Sequence, residues 1–260
     1  MRLRFFYDIY IRFSEPVYDH HYSIKFMPRD TDRQRVIQAD LQIQPENQLQ
    51  RDTDNFGNES VYGLIREPHS EFLAKIQGVV ETGLAVNEHR GIQYLDLFKT
   101  QTVQTAPGKA IEDFYRNIVV HAPDKTYERV LYFMDCLYNR MNYVGGSTDI
   151  TTTAEEAMGK ICGVCQDYAH IFLSILRMEG IPARYVVGMM MGEGQSHAWI
   201  EYNLKGYWYG LDPTNNSLVD EHYIKISHGR DYKDCLVSKG VFKNALAVQN
   251  QTVNVLVEKI

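Results

Sequence analysis

With 260 residues, of which 44% are hydrophobic, 12% aromatic and 23% charged, the chain has the balance of a globular protein and not of a disordered or fibrous one. Its 27 Lys and Arg against 33 Asp and Glu leave a net charge of −6 with no basic run that would track a phosphate backbone, so nucleic acid is not an expected partner. Arg2, Arg4, Asp8 and Arg12 interrupt the first apolar stretch, and the four cysteines are too few and too scattered for a disulfide framework, so the expectation is a cytoplasmic protein without a signal peptide or a membrane span.

At the N-terminus the odd positions Leu3, Phe5, Tyr7, Ile9, Ile11 and Phe13 are apolar while the charges fall on even ones, the period of a half-buried strand. The alternation returns at Tyr22, Ile24 and Phe26, at Ile37, Ala39, Leu41 and Ile43, at Val61 and Ile65, and at Phe72, Ala74, Ile76 and Val80. Polar turns, including DNFGN at residues 54–58, separate these segments, and no crossover helix intervenes. Residues 1–83 therefore read as an all-β module of antiparallel sandwich or barrel type, followed by a second domain over residues 84–260.

Beyond Glu88 the period changes. Pro107 predicts the start of a helix running to Val119, and Tyr127, Val130, Leu131, Met134, Leu137 and Met141 share one face of a second, entered at Thr126. Thr153 and Glu156 have capping-box spacing for a third. Residues 164–179 are apolar nearly all round, which predicts a buried helix, and Gly180, Ile181 and Pro182 stop it. Strands are expected at 184–190, 197–202 and 207–211, with 203–206 as the turn between the last two, and the tail through Leu246, Val248, Val253, Val255 and Val257 reads as further strand. A buried helix followed by a small antiparallel sheet is an α+β layout.

Three polar residues fall at the ends of these elements: Cys165 at the head of the buried helix, His197 at the start of one strand and Asp212 at the end of the next. Antiparallel strands joined by a turn bring the start of one beside the end of the other, so His197 and Asp212 are expected to meet, with the helix N-terminus presenting Cys165 to both. A thiol nucleophile needs such a set. A free cysteine titrates near ~8.5, and a helix N-terminus and an imidazolium both favour the reactive thiolate. His197 then serves as general base and acid, and Asp212, stiffened by Pro213, holds the ring tautomer. Backbone N–H groups near Cys165 are placed to receive an oxyanion. Singly, each residue reads as a small buried hydrophobe, polar filler or a turn; their joint placement carries the functional reading.

The run GVCQDYAHIFLSILRMEGIPARYVVG, then SHAWIEY, then GLDPTN resembles the core of the transglutaminase-like superfamily of cysteine hydrolases, in its bacterial and archaeal branch. The first 83 residues, with RDTDNFGN and IREPHSEF, resemble the β-rich N-terminal module of that branch, and GRDYKD at 229–234 its C-terminal signature. The resemblance implies a papain-like core with Cys165 as nucleophile, His197 as base and acid, and Asp212 as orienting group. It also implies chemistry at a carboxamide. The expected function is that of a cysteine peptidase or amidohydrolase acting on peptide or glutamine carboxamides, with a peptide or protein substrate as partner. Acyl transfer from protein glutamine to an amine is the alternative.

Cys162 and Cys165 also form a CxxC before a helix, the pattern of a dithiol redox centre, but that reading leaves His197 and Asp212 unexplained. A zinc site would have to recruit Cys235 with His170 or His228, which show no ligand spacing, and a binding scaffold that retains the triad is compatible with the same residues. Cys162 is expected to lie before the helix, so that Cys165 is the thiol that reacts. Trp199, on the strand face of His197, and Tyr143, before the helix, are the expected substrate-cleft residues. The methionines at 189–191 are expected to pack in the core or line a cleft. No metal or other cofactor is expected.

Overall fold

In the computed structural model, which describes residues 1–89 and 95–260, the alternating N-terminus is one long strand, β1 (Arg2–Ile24). Two strands were expected here, but the chain does not turn between them. Irregularities between Arg12 and Val17 and between Tyr18 and His21, with Asp19 at φ 46°, bend the strand instead. The rest of the module is β2 (Gln34–Gln44), β3 (Leu49–Thr53), β4 (Glu59–Ile65) and β5 (His69–Thr82). The first half of β1 pairs with β5, which pairs with β2, and its second half pairs with β4, which pairs with β3. Ile37, expected to face inward, is 52% exposed, because the register between β2 and β5 jumps across it from Val36 to Gln38.

Four helices follow: α1 (Lys109–Val119), α2 (Thr126–Arg140), α3 (Ala154–Lys160) and α4 (Cys165–Met178). The Thr153–Glu156 capping box opens α3 as the sequence predicts. Short strands β6 (Asn142–Tyr143) and β7 (Cys162–Gly163) pair in parallel just ahead of α4. Then come β8 (Ala183–Met190), β9 (Gly192–Gly194), β10 (His197–Leu204), β11 (Tyr207–Asp212), β12 (Ser217–Leu218) and β13 (Tyr223–Gly229). Five of them form a second sheet in the order β12-β11-β10-β8-β13, while β9 joins the first sheet. No helix among the described residues is long and apolar enough to cross a membrane.

The last strands, β14 (Ser238–Lys243) and β15 (Gln249–Lys259), return to β1 along its two halves. The first sheet therefore draws β9, β14 and β15 from beyond residue 83, so the division between sheets does not follow the division in sequence order. Leu246 and Val248, expected in the terminal strand, precede it and are 82% and 70% exposed.

Two cores result. One lies between α4 and the second sheet, where Phe172, Leu173 and Leu176 meet Tyr185, Ile200, Tyr202 and Leu211. Each such fully buried apolar side chain contributes about 1.5–3 kcal/mol. The other joins Leu3, Phe5, Tyr7 and Ile76 of the first sheet to Met189, Ile224 and Ile226 of the second. The second sheet thus meets α4 through one core and the module through the other.

Candidate active site

The start of α4 is set by Asp167, whose Oδ2 accepts from the Val164 N–H at 2.7 Å and from the Thr148 hydroxyl at 2.6 Å. A Cβ on Gly163 would lie 2.6 Å from that side chain, so the position needs glycine. Burial pushes the Asp167 carboxyl up against the hydrogen bonds that hold it down. Cys165 is the first helical residue, half-buried at the tip. It lies close enough to the His197 ring to help raise that ring's pKa.

His197 and Asp212 are aligned by the β10–β11 hairpin. Its two-residue turn, Lys205 and Gly206 at φ 53° and 88°, has the left-handed backbone that matches strand twist. Pairing from Leu204 with Tyr207 out to Ile200 with Leu211 brings Asp212 level with Trp199, two residues from His197 and on the same face. The His197 Nε2–H donates to Asp212 Oδ2 at 2.7 Å, which leaves Nδ1 for the sulfur.

Asp212 is completely buried and well provided with donors. Oδ2 also accepts from Asn215 Nδ2 at 2.7 Å and the Tyr223 hydroxyl at 2.9 Å, and Oδ1 accepts from the Thr214 backbone N–H at 3.0 Å. Burial works against its charge, but His197, Asn215 and Tyr223 outweigh it and hold the carboxyl below the usual carboxylate range. Burial likewise disfavours a charged His197, yet its bonds to Asp212 and Cys165 push its pKa up to about 10. The ring is therefore an imidazolium at neutral pH, beside the thiol.

Sequence reasoning missed Asn215 and Tyr223. Asn215 stands within the GLDPTN run, three residues past Asp212, where a side chain can fold back on the carboxylate. Tyr223 carries no local signal; it arrives from β13 on the far side of β8.

Of the two expected cleft residues, Tyr143 is 62% exposed, and partial burial and the charge of Cys165 raise its phenol, which places it near the thiol. Trp199 is different. It is 1% exposed, packed with Val186, Val219 and Tyr223, its ring 6.3 Å from that of His197, so it backs the imidazole and offers a substrate no open face. Its indole lies over Gly188, where a Cβ would stand 2.3 Å from the ring. Cys162 sits in β7, outside the helix, paired with Asn142. The methionine run divides: Met189 is core, while Met190 and Met191 are 37% and 40% exposed, with the Met190 sulfur 3.8 Å from the Asn215 amide. Among the described residues the acidic and His side chains that gather as metal ligands would are the surface trio Asp220, Glu221 and His222, which includes none of Cys235, His170 or His228.

The fold, an N-terminal β-rich region joined to a buried helix and an antiparallel sheet, defines a class before any comparison is made, and the comparisons agree with that fold. Residues 112–213 match the transglutaminase-like superfamily and residues 3–81 the bacterial transglutaminase-like N-terminal region. The chain belongs to the transglutaminase-like superfamily, with the N-terminal region of its bacterial members joined to the core. An uncharacterized protein of Mycobacterium leprae is 29% identical over 263 residues, covering 93% of each chain. A second, from Mycobacterium tuberculosis, is 28% identical over 284 residues, covering 96% of this chain and 89% of its own. The crystal structure of a candidate cysteine protease from Cytophaga hutchinsonii has the same fold, with a TM-score of 0.83 over 100% of this chain and 91% of its own at 22% identity.

Proposed function

We propose that the protein is a cysteine hydrolase that cleaves or deamidates carboxamides of peptide or protein substrates. The observation that carries this reading is the His197 ring fixed through Nε2 to buried Asp212, with Cys165 near enough to help raise the ring's pKa. With His197 carrying the proton, the Cys165 sulfur attacks the carboxamide carbon as a thiolate. The oxygen then takes the negative charge. Donors for it are available at the head of α4, where the first backbone N–H groups of a helix have no intrahelical acceptor. His197 delivers its proton to the leaving nitrogen, the C–N bond breaks, and a thioester remains on Cys165. The ring, now neutral, takes a proton from water as its oxygen attacks the thioester, and the acid product leaves with the thiolate and imidazolium restored. Asp212 stabilises the ring charge at the first and last stages.

The test is incubation of the protein with peptides and glutamine donors, with products read by mass. Peptide cleavage or ammonia release that needs Cys165 supports the reading. Amine incorporation without hydrolysis would reassign the acceptor, and no Cys165-dependent turnover of any carboxamide would defeat it.

A further inference from the structure

The two sequence runs that the site above does not use meet far from Cys165. DNFGN lies between β3 and β4, and GRDYKD follows β13. They are stitched together by Asn58, whose side chain bonds the His228 backbone at both N–H and C=O, at 2.9 and 2.8 Å. Lys25 adds a second stitch, reaching Asp54 Oδ2 at 2.7 Å and the Asp234 carbonyl at 2.8 Å. Between the runs is a cleft of about 1180 Å³, larger than a single ion or water cluster requires.

The charge of that cleft is opposite to that of the chain. Set beside a net charge of −6 for the whole protein, its lining holds Lys25, Arg29, Arg184, Arg230 and Lys233. Asp54 answers Lys25, both oxygens of Asp234 answer Nε and Nη2 of Arg230, which keeps its Nη1 outside that pair, and Glu88 and Glu201 answer Arg184 from behind. Lys233 is exposed and makes no ion pair among the described residues. Apolar surface is supplied by Phe56, partly exposed, and Leu97, 38% exposed, over the buried edges of Phe98 and Trp208. The cleft opens at the end of β8 that begins at Ala183, whereas His197 pairs with Gly188. Arg184 and Gly188 are four residues apart, about 13 Å along a strand at ~3.3 Å per residue.

We propose that this cleft is a second binding site, distinct from the Cys165 site, for a small organic carboxylate with a flat apolar body. The carboxylate sits against Lys233 and Arg230, and the body lies on Phe56 and Leu97. A bare inorganic anion would leave the apolar wall unused, and an uncharged ring would forgo the excess of cations.

Calorimetric titration of the intact protein with 2-naphthoate, 2-naphthol and 2-naphthylmethylamine tests this. Naphthoate should bind with 1:1 stoichiometry and at least tenfold more tightly than either neutral or cationic probe. Its backbone amide shifts should concentrate at residues 54–57 and 229–234. Lys233→Glu should weaken it at least tenfold, Arg230→Gln should weaken it as well, and Cys165→Ala should leave it unchanged. Equal binding of the three probes, absence of naphthoate binding at millimolar concentration, shifts centred on Cys165, or unchanged affinity in both charge variants would each overturn the proposal.

Discussion

Two buried carboxylate clusters stand on the face of the second sheet turned away from α4, and they differ in one respect. Around Glu88 and Glu201, charge is matched: Arg184 lies 2.8 Å from Glu88, and Lys225 lies 2.7 Å from each glutamate. All four side chains are 7% exposed or less, the Arg184 guanidinium covers the Trp208 ring at 4.1 Å, and Gln34 of the module clamps the Lys225 backbone with two 2.8 Å bonds. Burial disfavours the Glu88 charge, and Lys225 and Arg184 overcome it. Around Asp212, by contrast, the positive partner is a ring that can give its proton away, and that ring opens toward a half-exposed thiol. Similar physics builds both. A closed, balanced cluster fixes two sheets together, while an open one with a mobile proton is suited to chemistry.

Changes to either cluster should keep the two separate. The largest effect belongs to Cys165→Ala, which should lower amide turnover by about 10⁴-fold or more. A thermal melt should show the fold intact, and a melt that collapses with activity would mean that the residue is structural. Asp212→Asn should cost about 10³–10⁴-fold by releasing the ring tautomer. It should also change stability in a pH-dependent way. Because His197 is raised from 6.5 to about 10, its stabilisation is complete below pH 6.5 and is lost as pH rises through about 10. The stability gap between the parent and Asp212→Asn should therefore narrow across that window, read from melts at each pH.

In the closed cluster, Lys225→Met leaves two carboxylates to one arginine and should cost about 3–5 kcal/mol in denaturant unfolding. Turnover by the folded fraction should be nearly unaffected, and loss of activity without loss of stability would merge the two clusters. Tyr223→Phe removes one of several donors to Asp212, so turnover should fall only about three- to tenfold, in keeping with ~1 kcal/mol for a hydrogen bond. Without that donor Asp212 is protonated more readily, and the acid limb of the rate profile should move to higher pH. Smallest of all, Cys162→Ser should keep activity within about twofold under reducing conditions, since β7 leaves Cys162 outside the helix. Peptide mapping after limiting alkylation should find Cys165 labelled first.

How much of this could be read in the sequence depended on distance along the chain. The alternation of β1, the capping box at Thr153, the all-round apolar face of α4 and the hairpin ending at Asp212 are local patterns, and each stands where its residues put it. The bond from His197 to Asp212 has the same local origin, because the hairpin joins the start of one strand to the end of the next. The rest is long-range. Nothing near Tyr223 says that it will face Asp212, and Glu88 meets Lys225 across 137 positions. The return of β15 to β1 could not be told from an ordinary extension of the C-terminal sheet, since a strand's period names its buried face and not its partner. Trp199 shows the same limit: alternation gave its face correctly, but Val219 and Tyr223, which cover it, come from other segments.

The hairpin that carries His197 and Asp212 is also a ruler. With a turn of two residues, the distance in sequence between base and carboxylate is fixed at 15, and every residue between them is assigned a side of the sheet. One extra residue at Lys205 or Gly206 would either be absorbed in the loop or shift the pairing by one step. In the second case Leu211 would take the place of Asp212 beside the imidazole, and the carboxylate would turn into the apolar layer beneath α4. A length change in an exposed turn would then silence a site seven residues away without touching any of its atoms, whereas polar substitutions at Lys205 would leave it running.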